Sequence, residues 1–142
     1  MSHSCSASIV IRAPRDRVWK ALTEPAEVKA YFFDTELETS WRPGSPLFFR
    51  GEWQGKQYED RGKVLSFEPP HSLSYDYWSS FSGLEDKPEL RQIVRYDLDE
   101  QDGGTRVRAH QSNFDTQERA EHSEQNWRGV LEALKKYVES SR

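Results

Sequence analysis

Cysteine and methionine are almost absent from this 142-residue sequence, which contains one residue of each. The lone Cys5 excludes an internal disulfide and a zinc site built from several thiolates, and it suits a reducing cytoplasm. No apolar stretch approaches the ~20 residues that a membrane-spanning helix needs. Residues 1–8 contain no basic segment followed by an apolar one, so we expect no signal peptide and a cytoplasmic protein.

Charge of one sign is also lacking. The chain has 20 basic and 24 acidic side chains, a formal net charge of −4, which argues against a dedicated nucleic-acid binder. Leu, Ile, Val and Phe are scarce, but aromatic residues reach 13% and can build a core from few side chains. No repeat or linker divides the sequence, so we expect a single domain over residues 1–142.

Recognisable catalytic and cofactor motifs are missing. The chain has no phosphate-binding loop, no dinucleotide fingerprint and no nucleophile elbow, so we expect no cofactor and assign no catalytic residue. We expect no metal site, because the four histidines form no close pair and are His3, His71, His110 and His122. Cys5 is expected to be an inert thiol in a flexible N-terminus. Asp60 could act as a base if it lies in an apolar pocket, although a solvated strand face is the simpler interpretation.

Residue periodicity predicts an α+β order. A strand over 6–12 precedes two short helices, 15–22 and 26–31, the second opened by Pro25. Six strands with alternating side chains follow, at 36–41, 47–53, 58–67, 72–78, 90–98 and 105–113. A long helix ends the chain, and Asp115 with Glu118 resembles a capping box at its start. The prediction is a helix-grip fold, in which a curved antiparallel sheet wraps around the long C-terminal helix.

The last helix changes character along its length. Trp127, Leu131 and Leu134 follow helical spacing, and the C-terminal half of this helix is strongly apolar. The same face carries only Ala120 and Ser123 further back, and small side chains cannot close the gap to a curved sheet. We therefore expect a cavity or cleft between the sheet and this half of the helix.

Candidate ligand-binding residues are those expected to face this cavity. Aromatic rings offer flat apolar contacts, and amide or hydroxyl groups can orient a ligand. The candidates are Trp53, Tyr75, Tyr77, Gln92, Val94, Gln111, Asn113, Ser123 and Trp127. An unpartnered buried amide costs about 1–3 kcal/mol, so the inward amides indicate either a hydrated pocket, ligand hydrogen bonds or mutual pairing within the core. The rings could equally be plain core.

Four stretches resemble a known group of proteins. They run from Ile9-Val10-Ile11 to Leu22-Thr23, then Arg42-Pro43-Gly44, then Gly62-Lys63-Val64 with Glu68-Pro69-Pro70, and last Gly104-Thr105-Arg106-Val107 leading to Trp127. Together they resemble the START-like superfamily, also called SRPBCC or birch-pollen-allergen-like. The nearest family is that of the activator of the ninety-kilodalton heat-shock protein ATPase. The resemblance implies a helix-grip fold, often with a hydrophobic ligand pocket.

Three functions follow as alternatives. The first is a protein that binds a hydrophobic, aromatic or lipid-like small molecule in an internal cavity, as a monomer or homodimer. The second, implied by the resemblance, is an interaction module that acts on a chaperone ATPase in a stress response. The third is a cyclase- or hydratase-type enzyme that uses the same pocket; because no acid/base pair is evident, we favour a protein without catalytic activity.

Overall fold

A computed structural model describes residues 3–32, 34–79 and 83–140, except for the side chain of Trp53. The strands in this part of the chain are β1 His3–Ile11, β2 Glu36–Thr39, β3 Pro46–Trp53, β4 Lys56–Glu68, β5 Ser72–Tyr77, β6 Gln92–Gln101 and β7 Gly104–Phe114. The α-helices are α1 Arg15–Thr23, α2 Pro25–Tyr31 and α3 Gln117–Ser140, and a short 3-10 helix covers Pro88–Leu90.

The strands form one curved antiparallel sheet in the order β1-β7-β6-β5-β4-β3-β2. Consecutive strands from β2 to β7 are neighbours, and β1 closes the far edge beside β7. The long helix α3 lies against β1 and β7, with α1 and α2 beside it. This is the helix-grip fold, so the predicted fold class is confirmed.

Two short helices connect β1 to the rest of the sheet, as predicted. Pro25 is the first residue of α2, where its missing N–H and fixed φ do no harm. Glu24 between the helices is extended, which turns the chain from one helix into the other. α1 buries Val18, Ala21 and Leu22, and α2 buries Val28.

The long helix has the predicted apolar stripe but a different start. Thr116 Oγ1 accepts a hydrogen bond of 3.1 Å from the backbone N–H of Arg119, so Thr116 is the capping residue. The prediction that Asp115 and Glu118 form the cap is wrong by one residue, because the Asp115 carboxylate pairs with the Arg119 guanidinium at 3.4 Å instead. The buried positions of α3 are Ala120, Trp127, Val130, Leu131, Leu134 and Val138.

The N-terminal segment is ordered as a strand. The prediction of a flexible N-terminus is wrong for Cys5, which lies in β1 opposite Gln111 and is buried. At the other end of β1, α3 covers the free edge of the strand. Lys135 Nζ donates to the carbonyl of Val10 at 2.9 Å, and the Arg12 N–H donates to a Glu139 carboxylate oxygen at 2.9 Å.

Two β-bulges change which side chains face inward. In β7, Asn113 has a φ of 72°, and the register with β1 shifts by one residue there. Phe114 therefore turns into the core, while the Asn113 amide bonds the carbonyls of Glu89 and Arg91. In β4 a shift between Val64 and Ser66 leaves Leu65 40% exposed.

Several strand ends also differ from the prediction. β2 ends at Thr39 rather than residue 41, because Trp41 adopts a φ of 60° and its indole N–H donates to the carbonyl of Thr23 at 2.9 Å. β6 begins at Gln92 rather than residue 90, since the 3-10 helix precedes it. None of the helices in the described residues is long and apolar enough to cross a membrane.

Candidate functional site

The inner face of the sheet and the N-terminal half of α3 are joined by a group of polar side chains. Gln111, on β7, is only 6% exposed. Its Oε1 accepts hydrogen bonds from Ser123 Oγ and from the Trp127 indole N–H, each of 2.8 Å. Its Nε2 donates to Oε1 of Gln92 on β6. We call Gln92, Gln111, Ser123 and Trp127 the amide relay.

The hydrogen-bond donors on α3 determine the orientation of the Gln111 side-chain amide. An indole N–H can only donate, so Trp127 requires the carbonyl side of the Gln111 amide. In this orientation the Gln111 NH₂ group points toward Gln92 and donates a hydrogen bond to the side-chain carbonyl of Gln92. Two of the three predicted inward amides, Gln92 and Gln111, are therefore paired with each other and with α3, and mutual pairing was one of the alternatives that the sequence left open.

Cys5 lies next to the relay. Burial raises the pKa of its thiol, and the nearby Glu124 carboxylate raises it further, while hydrogen bonds from Ser123 and the backbone of Gln111 act in the opposite direction. A raised pKa keeps the sulfur as a neutral thiol, which is a weak nucleophile.

A buried carboxylate lies on the inner face further along the sheet. Asp60, on β4, is 6% exposed, and its Oδ2 accepts a hydrogen bond of 2.6 Å from the hydroxyl of Tyr77 on β5. Burial and the negative charge of Asp60 both raise the pKa of Tyr77. The Tyr77 hydroxyl therefore keeps its proton and donates it to the hydrogen bond with Asp60 at the edge of the aromatic interior.

Aromatic rings fill the space between the amide relay and the Asp60–Tyr77 pair. Phe49 is central, with ring centroids 5.8 Å from Tyr75, 6.0 Å from Tyr77 and 6.3 Å from Phe32. Trp127 meets the ring of Tyr96 edge-on at 5.5 Å, which links the rings to the relay. Phe49, Tyr77, Tyr31 and Phe32 are only partly buried, so this cluster reaches the surface.

Three further phenols lie within this interior. Tyr75 on β5 and Tyr96 on β6 both face inward, and Tyr31 approaches from the end of α2. Burial raises the pKa of each, and Tyr75 acts on the ionisation of both Tyr31 and Tyr96. Tyr75 and Tyr96 are diagonal neighbours on the paired strands β5 and β6.

The structure brings most of the predicted site residues to one region. Gln92, Gln111, Ser123 and Trp127 form the relay, and Tyr75 and Tyr77 belong to the ring cluster. Val94, 2% exposed, lies on the sheet between Tyr75 and Gln111.

One predicted site residue stands apart, and the side chain of another is not described. Asn113 does not face the interior, because the β-bulge turns its amide to the outer side of the sheet. There it lines an open groove of about 590 Å³ with Leu65 and Ile93. The backbone of Trp53 ends β3, and its side chain lies outside the described residues.

Sequence reasoning missed several residues of the region. Tyr96 follows the same alternation as Gln92 and Val94, so its position was readable from the strand pattern. Phe49 shares the strand face of Trp53 by simple alternation, so its position was also readable from the sequence. Tyr31 and Phe32 belong to the ring cluster only because α2 folds over the sheet, and no local sequence pattern indicates that tertiary contact.

Metal-ligating side chains do not converge in the described ranges. Within residues 3–32, 34–79 and 83–140, no three His, Cys, Asp or Glu side chains are placed to hold a metal ion. The chemistry on offer here is apolar contact together with hydrogen bonding from phenols and amides.

Family comparisons agree with the fold. The model of the family described as "activator of Hsp90 ATPase homolog 1-like protein" matches residues 12–139. The chain belongs to this family. Through it, the chain belongs to the START-like superfamily. No curated protein sequence matches this family member.

Solved structures of relatives have the same architecture. The solution structure of ChR145 from Cytophaga hutchinsonii is 37% identical, covers 99% of this chain and 97% of its own, and superposes with a TM-score of 0.84. The Aha1 dimer from Colwellia psychrerythraea is 19% identical over 96% of both chains, with a TM-score of 0.74. Ara h 8.0201 is 16% identical over 99% of both, with a TM-score of 0.77. The last two support the fold alone.

Proposed function

We propose that this family member is a small-molecule-binding protein. Its ligand is an apolar compound, aromatic or lipid-like, held between the inner face of the sheet and the N-terminal half of α3. The observation that carries the proposal is the partly buried ring cluster around Phe49, bounded by the amide relay on one side and the Asp60–Tyr77 pair on the other. An apolar lining with a few placed polar groups is typical of ligand sites.

Membership of a superfamily whose fold commonly binds hydrophobic ligands supports the same function. The change along α3 adds a physical reason. Its C-terminal half packs Leu131, Leu134 and Val138 against the sheet, whereas Ala120 and Ser123 are small. A ligand would take the place beside Ala120 and Ser123 that larger side chains fill in the C-terminal half of α3.

Native mass spectrometry of freshly purified protein, compared with its denatured mass, is the first test. We expect an additional mass that is lost on denaturation. A fluorescence titration with N-phenyl-1-naphthylamine, an uncharged apolar dye, then measures binding directly. Val94→Phe places a ring on the floor of the proposed site, and we expect it to abolish dye binding.

Ile93→Phe is the matched control. Ile93 is the next residue on β6 but faces outward and is 42% exposed, so the same enlargement there should leave dye binding unchanged. Circular dichroism must show that both variants are folded, and Val94→Leu serves if Val94→Phe is not. A bare native mass together with no dye binding by the unmodified protein would refute the proposed function.

Chaperone ATPase activation is the second candidate, favoured by the family to which the chain belongs. It is tested by adding the purified protein to a purified ninety-kilodalton heat-shock chaperone and measuring ATP turnover. A stimulated rate that survives Val94→Phe would place that activity outside the proposed ligand site. An unchanged rate would remove the candidate.

A further inference from the structure

An open groove of about 590 Å³ lies on the outer face of the sheet, on the side away from α3. The 3-10 helix Pro88–Leu90 forms one end of this groove. Leu65 and Ile93 both line it and are 40% and 42% exposed. In the part of the chain that the structure describes, these two residues are the exposed large apolar side chains. Exposed apolar side chains gathered in one groove, rather than scattered singly, are typical of a contact surface.

The strand pattern explains why both aliphatic side chains remain exposed. The register shift in β4 between Val64 and Ser66 turns Leu65 outward. Ile93 lies two strands away on β6, with β5 between them. On the outer face of β5, Ser74 is short and bonds the hydroxyl of Ser66 at 2.6 Å. No bulky side chain on β5 therefore separates the two aliphatic residues at that position.

Two charges of opposite sign lie on either side of this apolar centre. Within the described residues, the Glu89 carboxylate and the Arg108 guanidinium form no ion pair or hydrogen bond. Glu89 lines the end of the groove at the 3-10 helix, where its carbonyl accepts from the Asn113 amide. Arg108 lies in the other direction along β7, four residues from Ser112, which pairs with Ile93. Four residues of strand span about 13 Å.

The other charges nearest the groove are already paired within the chain. Asp97 lies opposite Arg108 in the sheet but is bonded to Arg95 at 3.0 Å. Arg91 is bonded to Asp76 at 3.0 Å. These pairs add little net charge, so the acidic end of the face is Glu89 and the basic end is Arg108.

A face with this order of groups is complementary to a second copy of itself. A two-fold axis that runs across the strands at Ile93 places the apolar centre of one copy on that of the other. The same axis brings Glu89 of each copy to Arg108 of the other, so both charges gain a partner. The strands of the two copies then run antiparallel, which agrees with the nearly aligned directions of sheets packed face to face.

We propose that this chain forms a homodimer through the outer face of its sheet. Leu65 and Ile93 lie at the centre of the interface, and two Glu89–Arg108 ion pairs lie at its ends. Five strands about 4.8 Å apart, over about eight residues of 3.3 Å, offer roughly 500 Å² per copy. A standard interface buries about 800 Å² per partner, so the dimer is weak and reversible and its protomers are folded on their own. The proposed ligand site lies on the inner face and is not part of this interface.

Sedimentation velocity over a concentration series up to about 1 mM tests the interface, because a weak dimer has a Kd of about 10 µM to 1 mM. We expect a monomer in dilute solution and a dimer in concentrated solution. Ile93→Lys places a charge at the apolar centre and should weaken the dimer by about tenfold or more, and Leu65→Lys should do the same. Glu132→Arg, at an exposed position on α3, is the matched control and should leave dimerisation unchanged.

An exchange of charges tests the two-fold arrangement. Glu89→Arg and Arg108→Glu should each weaken self-association about tenfold or more, because symmetry turns each single change into two contacts between like charges. An equal mixture of the two variants should form a dimer again, since every arginine at the two ends then faces a glutamate. Arg128→Glu, exposed on α3, is the control and should not form more dimer when it is mixed with Glu89→Arg.

Circular dichroism must show that each variant is folded, and the contrary results are distinct. A monomer at every concentration would overturn the proposal and leave the groove to a different protein. A dimer that survives both Ile93→Lys and Leu65→Lys would show that another surface is used. Charge variants that stay monomeric when mixed would overturn the two-fold arrangement. Ile93→Lys should bind the apolar dye as the unmodified protein does, so none of these results decides the proposed function.

Discussion

The two halves of α3 pack against the same sheet by different means. On its buried face the C-terminal half uses aliphatic side chains, and Leu131, Leu134 and Val138 are essentially inaccessible to water, while its hydrogen bonds lie at the edge of the sheet, at Lys135 and Glu139. The N-terminal half uses hydrogen bonds, from Ser123 and the Trp127 indole to a single glutamine oxygen. Aliphatic packing does not depend on a particular orientation of the groups in contact, whereas these hydrogen bonds fix one arrangement of side chains.

We expect the two halves of α3 to contribute differently to stability and to ligand binding. Aliphatic burial stabilises the fold in proportion to the area removed from water. A network of directional hydrogen bonds adds less stability but holds a defined arrangement of side chains. Stability should therefore depend mainly on one half of α3, and ligand binding mainly on the other.

Alkaline unfolding should give the largest effect. The pKa values of Tyr31, Tyr75, Tyr77 and Tyr96 are raised by burial in the folded protein. Above about pH 10 the unfolded chain releases these protons and the folded chain does not, so stability is complete below that pH and falls as the pH rises. Circular dichroism together with phenolate absorbance between about pH 8 and pH 12 measures this.

The alkaline prediction has a clear contrary result. Phenolate formation by all six tyrosines near pH 10 without loss of structure would mean that water reaches the rings freely. The Tyr75→Phe, Tyr96→Phe double variant should lose less stability over the same range, because two of the buried phenols are gone.

Shortening a buried side chain in the C-terminal half of α3 should give the next largest effect. Leu134→Ala removes a side chain with no exposure and leaves a cavity, so we expect a loss of about 2–5 kcal/mol in the free energy of unfolding. Urea denaturation measures it. Leu65→Ala, at the exposed bulge of β4, is the matched control and should cost about 0.5 kcal/mol or less. A similar loss at both positions would contradict the packing described here.

Gln111→Leu tests the hydrogen-bonded half. The variant leaves the Trp127 indole N–H and the Ser123 hydroxyl without an acceptor, so we expect a loss of about 1–3 kcal/mol in urea denaturation. Gln101→Leu, at the exposed end of β6, should change stability little. A gain in stability in Gln111→Leu would show that the relay is retained for ligand binding at the expense of the fold.

Gly129→Ala should give the smallest effect and the opposite sign. Gly129 lies between the two halves of α3, and an added Cβ would meet nothing within 4 Å. Alanine in a helix is favoured over glycine by about 0.5–1 kcal/mol, so the variant should unfold at a slightly higher urea concentration. Gly44→Ala is the contrasting control: its φ is 90°, so alanine there should be destabilising. Stabilisation by both variants would contradict the difference in backbone conformation.

Most of the fold was predictable because its signals are local. Alternating side chains gave the strands, Pro25 gave the break between α1 and α2, and the spacing of Trp127, Leu131 and Leu134 gave the inward face of α3. The small residues Ala120 and Ser123 on that face also pointed to the region where the relay lies. These patterns need no knowledge of distant contacts.

The errors occurred where one residue changes the phase of a pattern. A single bulge at Asn113 exchanges its place with Phe114, and strict alternation cannot foresee it. Thr116 caps α3 in place of Asp115 because the helix begins one residue later. Cys5 seemed remote from any partner because its neighbours, Gln111 and Ser123, are more than a hundred residues away along the chain.

The closure of the β1 edge affects how copies of this chain can meet. A free edge strand offers backbone groups to which another chain can pair. Here Lys135 and Glu139 already occupy the carbonyl of Val10 and the N–H of Arg12, and the opposite edge is the four-residue strand β2. At these two places a second molecule therefore finds little backbone on which to extend the sheet, because α3 covers the end of β1 at Val10 and Arg12, and β2 is only four residues long.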